Sequence, residues 1–213
     1  MKINTRSITL AATLTALCAV SGAMPYVFFL PVAVAASTLS LGTVAFVGLA
    51  FGCISLAYCF VMPASVVSVA FVQAPYIAIL PRIAAALVAF GVFKLMCKLL
   101  KTDVDGKHAR ARRAAASSVS AAFGSIANTA IVIGLLVAIM PESEMGGVTV
   151  IAYVPTMLIS GVIECVCMAA LTPPIALTLD KYVLKKRKKP NDKAVPTEQT
   201  EPNAKKTQGA DKI

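Results

Sequence analysis

Three side chains stand where an apolar sequence makes polarity costly: Arg82, Asn128 and Glu164. A charge carried to mid-membrane costs about 2.5–3.5 kcal/mol on insertion scales, so such groups face a cavity, a partner or a pathway. Between them they offer a cationic donor, an amide that donates and accepts, and a carboxylate acceptor. A soluble ligand with both donor and acceptor groups would use all three. Arg82 follows Pro81, whose missing N–H frees a backbone carbonyl one turn earlier. That predicts a polar pocket edge at Arg82, near Tyr76 and Gln73. Gly161 precedes Glu164, and Gly124 stands one helical turn before Asn128; both glycines permit close approach. Each residue also has a structural reading. Arg82 lies near the start of its apolar run and could snorkel to the interface, Asn128 could bond a neighbouring helix, and Glu164 could pair with Arg82.

Other chemistry finds little material. The only histidine, His108, lies in a basic stretch, so Ser/His, Cys/His and metal–His arrangements inside the membrane cannot be assembled. The six cysteines all fall in apolar segments, where they serve as small packing residues. Cys165 and Cys167 form a C-x-C pair, but positions i and i+2 of a helix point about 200° apart, which makes a poor metal clamp. There is no phosphate-binding loop of the G-x-x-x-x-G-K-[ST] type. The expectation is a non-enzymatic chain without cofactor or metal.

The elements that must position these residues are helices in lipid. Of 213 residues 58% are hydrophobic and only 14% charged, against about 45–50% and about 25% in soluble domains. Between residues 8 and 93 the only charge is Arg82, and between 114 and 179 there are only Glu142, Glu144 and Glu164. A soluble fold needs charged faces throughout such stretches, whereas a helical span needs about 20 apolar residues because backbone in lipid must satisfy its own hydrogen bonds. The fold class is therefore all-α, a polytopic membrane protein of about six transmembrane helices. Spans are expected at 7–24, 26–37, 41–60, 76–100, 114–140 and 153–183, with 61–75 a loop or partial helix over the outer face. The second segment contains Pro31 and is short for a straight span; it is expected to be tilted, broken or partly re-entrant.

The net charge of +10 is distributed as topology rather than as a nucleic-acid surface. Nine of the 20 basic residues lie from Lys185 onward, and Lys98, Lys101, Lys107, Arg110, Arg112 and Arg113 form a second cluster. No aromatic stacking partners interleave them. The connection at 101–113 is therefore cytoplasmic, and the one at 141–150, with Glu142 and Glu144 and no base, lies outside. With Lys2 and Arg6 inside, an even number of spans places both termini in the cytoplasm of a bacterial cell. Residues 1–184 form the membrane domain, and 185–213, rich in Lys, Pro, Thr, Glu and Gln, a disordered basic tail. The start of the chain has the outline of a cleavable signal, but the following sequence is equally apolar and a retained first span fits better. Along that span Ala12 and Ala16, then Ala19 and Ala23, set small residues four apart, a spacing that lets helices pack closely.

The ordered set of motifs resembles the substrate-binding (S) components of energy-coupling factor transporters, the group that includes riboflavin and pantothenate binders. Arg6-Ser-Ile-Thr-Leu-Ala-Ala-Thr-Leu-Thr-Ala-Leu17 looks like that family's first helix, Leu80-Pro81-Arg82-Ile83 with Gly91 and the following lysines like its fourth, Phe123-Gly124-Ser125-Ile126-Ala127-Asn128-Thr129 like its fifth, and Glu164 with Leu171-Thr172-Pro173-Pro174-Ile175 like its sixth. Leu41-Gly42-Thr43 departs from the turn usual between the second and third helices. The resemblance implies a subunit that captures a vitamin with high affinity at the outer face, docks through Ala12, Ala16 and Ala19 on a transmembrane coupling subunit, and relies on two separate ATPase subunits. The Pro-Arg and Asn-Thr pieces look most like pantothenate-type members; riboflavin, folate and cobalamin are the other cargoes. The competing readings are a stand-alone secondary transporter, which usually needs coupling-ion sites and often internal repeats, and a membrane scaffold subunit.

Overall fold

The computed structural model describes residues 5–22, 27–61, 66–102, 108–139, 144–145 and 148–179. The basic tail 185–213, Lys2, Ala23, Lys107 and Glu142 lie outside the described residues. The chain folds as seven helices, α1 Thr5–Ser21, α2 Leu30–Thr38, α3 Leu41–Val61, α4 Val66–Gln73, α5 Pro75–Leu99, α6 Ala109–Ile139 and α7 Val150–Leu179, among the described residues. A hairpin of two-residue strands, β1 Glu144–Met145 and β2 Val148–Thr149, sits between α6 and α7.

Four helices are long and apolar enough to cross a membrane: Leu41–Val61, Pro75–Leu99, Ala109–Ile139 and Ile151–Leu179. The chain is a membrane protein on that ground. Its outer surface agrees, for Phe46, Phe60, Leu95, Phe123, Val162 and Val166 are large, apolar and exposed. Of the about six spans expected from hydropathy, the first two are short. α1 has 17 residues, and α2 has nine, about 13 Å at 1.5 Å per residue against a hydrocarbon core of about 30 Å. Too short to run across alone, α2 is a plug. Every residue from Leu30 to Ser37 is buried, with α1, α3, α5, α6 and α7 around it.

One boundary differs from the sequence expectation, and the partial helix expected within 61–75 is present. The stretch 101–113 is helical from Ala109 onward, because alanine and arginine are among the best helix formers and extend α6 past the apolar run. Residues 61–75 hold α4, a short helix that packs on α3, α5 and β1.

Small residues set the seams. A Cβ on Gly48 would stand 2.8 Å from Ala86 Cβ and 3.2 Å from the Arg82 carbonyl, and one on Gly52 would stand 3.0 Å from Ile79 Cα; only glycine lets α3 lie this close to α5. Ser120 Oγ donates to the Ala89 carbonyl (2.7 Å), tying α6 to α5, and Ser118 Oγ donates to that of Ala169 (2.8 Å), tying α6 to α7. Near contact of backbones and polar links of this kind hold helices together where lipid offers no hydrophobic drive. Along each seam residue numbers rise on one helix as they fall on the other, so neighbours are antiparallel. One end of the bundle therefore gathers the C-termini of α3 and α6, the N-termini of α5 and α7, α4 and the hairpin. The other end carries Lys98, Lys101, Arg110, Arg112 and Arg113.

Candidate functional site

The site grows from Pro81. A proline cannot donate to the carbonyl four residues back, which leaves the Ile77 oxygen free inside α5. Arg82 takes it: Nη1 donates to the Ile77 carbonyl at 3.4 Å. The Gly48–Gly52 seam then brings the next turn of α3 within reach, and Nη2 donates to Ser55 Oγ at 3.3 Å. From α4 the Phe71 ring lies against the guanidinium, 4.6 Å from Cζ to its centroid, a contact worth about 2 kcal/mol when desolvated. Arg82 is only 7% exposed, so it does not snorkel. Three elements hold it inside the bundle.

Yet the guanidinium is underused. Five N–H donors are present, and the two bonds made are long beside the usual 2.9–3.0 Å. Nε is buried without any partner. Asn128 Oδ1, on α6, is likewise buried and unpartnered. A buried polar atom left unsatisfied costs about 1–3 kcal/mol, and both of these atoms have capacity for a partner.

Both atoms belong to residues that line one cavity of about 200 Å³. α4 contributes Val67 and Phe71, α5 Arg82, and α6 Asn128, Thr129 and Val132. α7 presents Tyr153, Thr156, Met157, Ser160, Gly161 and Glu164, the i, i+3, i+4, i+7, i+8, i+11 stripe of a single helical face. Gly161 makes room for Thr129, whose Cγ2 lies 2.9 Å from where a Cβ would be, and this contact closes the wall between α6 and α7. Arg82 and Glu164 face the same cavity, but among the described residues no ion pair joins them, and Glu164 makes no hydrogen bond there. The cavity thus has a cationic, an acidic and an amide side chain in one lining, together with apolar ones.

Of the residues singled out by sequence, Arg82, Asn128 and Glu164 come together. Tyr76 and Gln73 do not: both are exposed and neither lines the cavity. Ala12, Ala16 and Ala19 share the exposed side of α1, whereas Ala11, Leu14 and Cys18 face the core. Tyr58 secures the end of that helix by donating from Oη to the Ala19 carbonyl, its ring filling the space a side chain at Gly22 would need. Sequence reasoning missed Ser55, Phe71, Thr129 and the α7 stripe. The stripe carried a signal, since it is far more polar than the Leu158, Ile159, Val162 and Val166 that surround it. Ser55 also carried one, for it continues the Gly48, Gly52 spacing by one turn.

Against known proteins, the chain matches no family model and no curated protein.

Proposed function

We propose that this chain is the solute-capturing subunit of an ATP-driven uptake transporter of the energy-coupling factor type, binding a small vitamin or vitamin-like metabolite in the cavity between α4, α5, α6 and α7. The observation that carries the reading is the set of unpartnered groups, Arg82 Nε and Asn128 Oδ1, around a cavity that also contains Glu164. Binding sites combine apolar walls with a few convergent polar groups, and this one has both. The sequence resemblance supplies the transporter class.

Topology supports the direction of capture. The basic residues at the opposite end belong in the cytoplasm, so the cavity and its cover of α4 and the hairpin face outward. The α1 and α2 segments add two passes to the four long helices, for six in total with both termini in the cytoplasm. The exposed small-residue side of α1 suits a close contact with a coupling subunit. Cavity size bears on the cargo. At about 200 Å³ it falls below the roughly 300–1,000 Å³ of drug-sized sites, which favours a molecule near pantothenate in size over riboflavin, folate or cobalamin.

Uptake in cells that express the chain alone, or with a coupling subunit and two ATPase subunits, tests the proposal. Accumulation should require all the subunits and ATP. Accumulation by the chain alone would establish a secondary transporter instead, and a stable complex that binds no solute would establish a scaffold.

A further inference from the structure

The charges in the cavity say more about the cargo than its size does. A guanidinium and a carboxylate line the same space of about 200 Å³ without closing on each other. Arg82 is held back by the Ile77 carbonyl, by Ser55 and by the Phe71 ring, so it is fixed on its own side. Glu164 stands on α7, one helical turn beyond Gly161 and Ser160 on the same face. The two charges attract each other across the cavity without closing an ion pair among the described residues, so an occupant that carries both opposite charges can meet each of them.

We infer that the cargo is a small zwitterion, with a carboxylate seated on Arg82, a protonated amine on Glu164 and a short apolar or aromatic body between Phe71, Val132 and Met157. The inference rests on the capture reading above and narrows it at one point, the charge of the ligand. A sphere of this volume is about 7 Å across, which sets the scale of the distance between a ligand carboxylate on Arg82 and Glu164. At about 7 Å and an effective dielectric constant of about 20, one unit charge changes affinity by about fiftyfold. A simple monoanion on Arg82 meets that factor as repulsion from Glu164 and a simple monocation on Glu164 meets it as repulsion from Arg82, whereas in a zwitterion each far-side repulsion is outweighed by the closer contact of the other end with its opposite charge. Asn128, in the same lining with an unpartnered carbonyl oxygen, accepts from the amine as well.

Matched sets of three isolate the charge from the shape: phenylalanine, 3-phenylpropionate and phenethylamine, then leucine, 4-methylvalerate and isoamylamine, with pantothenate as the monoanionic vitamin. Thermal stabilisation and calorimetric titration of the purified full-length chain in detergent provide the readout. The zwitterion of at least one set should bind at least tenfold more tightly than both of its partners and than pantothenate, and Glu164→Gln should erase the advantage over the monoanion. Equal or tighter binding of a monoanion, pantothenate included, overturns the zwitterion assignment and leaves the capture reading standing. Silence from every compound on a folded preparation overturns the zwitterion assignment, and the capture reading then falls only if the B vitamins are silent too.

Discussion

Replacing Gly48 by alanine tests how the site is built without changing any side chain that faces the cavity. The added methyl would sit 2.8 Å from Ala86 Cβ, 3.2 Å from the Arg82 carbonyl oxygen and 3.4 Å from Ile83 Cα. Two of these neighbours are backbone atoms and the third is a Cβ, so none can swing aside. Carbon atoms in contact stand about 3.5–4.0 Å apart, and α3 must therefore withdraw from α5 by roughly half an ångström or more. Overpacking of this kind costs about 1–3 kcal/mol. The Ser55–Arg82 bond, already long at 3.3 Å, opens as the helices part, and the guanidinium loses one of its three supports. Gly91→Ala is the control: it lies in α5 with nothing within 4 Å of the new Cβ, and exchanging glycine for alanine inside a helix gains up to about 1 kcal/mol. Thermal unfolding of the two purified variants in the same detergent should move in opposite directions, with Gly48→Ala lower and Gly91→Ala unchanged or higher. If Gly48→Ala unfolds at the wild-type temperature or above, the close seam is not what places Ser55 against Arg82.

Other expectations follow from the same contacts. Arg82→Gln and Glu164→Gln should each weaken binding of the cargo by about 1–3 kcal/mol, the cost of stranding a buried polar partner; calorimetry that finds both unchanged removes them from the site. Ala12→Trp and Ala16→Trp should abolish co-purification with the coupling subunit and leave ligand affinity intact, and a loss of affinity with the complex preserved would contradict a docking role for that side of α1. Ser120→Ala removes the bond to the Ala89 carbonyl and should cost about 0.6 kcal/mol, and no more than about 1.7, by denaturant titration in mixed micelles; a much larger loss would show that the α5–α6 seam depends on that hydroxyl more than membrane hydrogen bonds generally allow.

How far the sequence reaches depends on whether a relation is local. Pro81 and Arg82 are adjacent, and the carbonyl that Pro81 frees lies four residues back, so the hydrogen bond to Ile77 follows from helix geometry alone. Asn128 and Glu164 stood out because membrane segments seldom contain such groups, and that physical cost is the same whatever the fold. Tyr76 misled for a geometric reason. Six residues before Arg82 on one helix, it is turned about 240° away and ends up exposed. Gln73, the last residue of α4, points outward as well. Phe71 was hidden because 61–75 was read as a loop or partial helix over the outer face, and Ser55 because its link to Arg82 spans 27 positions. The burial of α2 was hidden for a related reason: hydropathy counts apolar residues without asking whether they face lipid or, as here, a ring of other helices.

The central claim is that this chain, by itself, holds a small polar molecule between Arg82, Asn128 and Glu164. Equilibrium binding to the purified chain without any coupling or ATPase subunit tests it most directly, with B vitamins and the matched zwitterions as ligands and the Arg82→Gln/Glu164→Gln double variant alongside. The account predicts saturable, sub-micromolar binding of one compound to the wild-type chain, lost in a double variant that remains folded. A folded wild-type chain that binds none of them, or a double variant that binds as well as wild type, would contradict it.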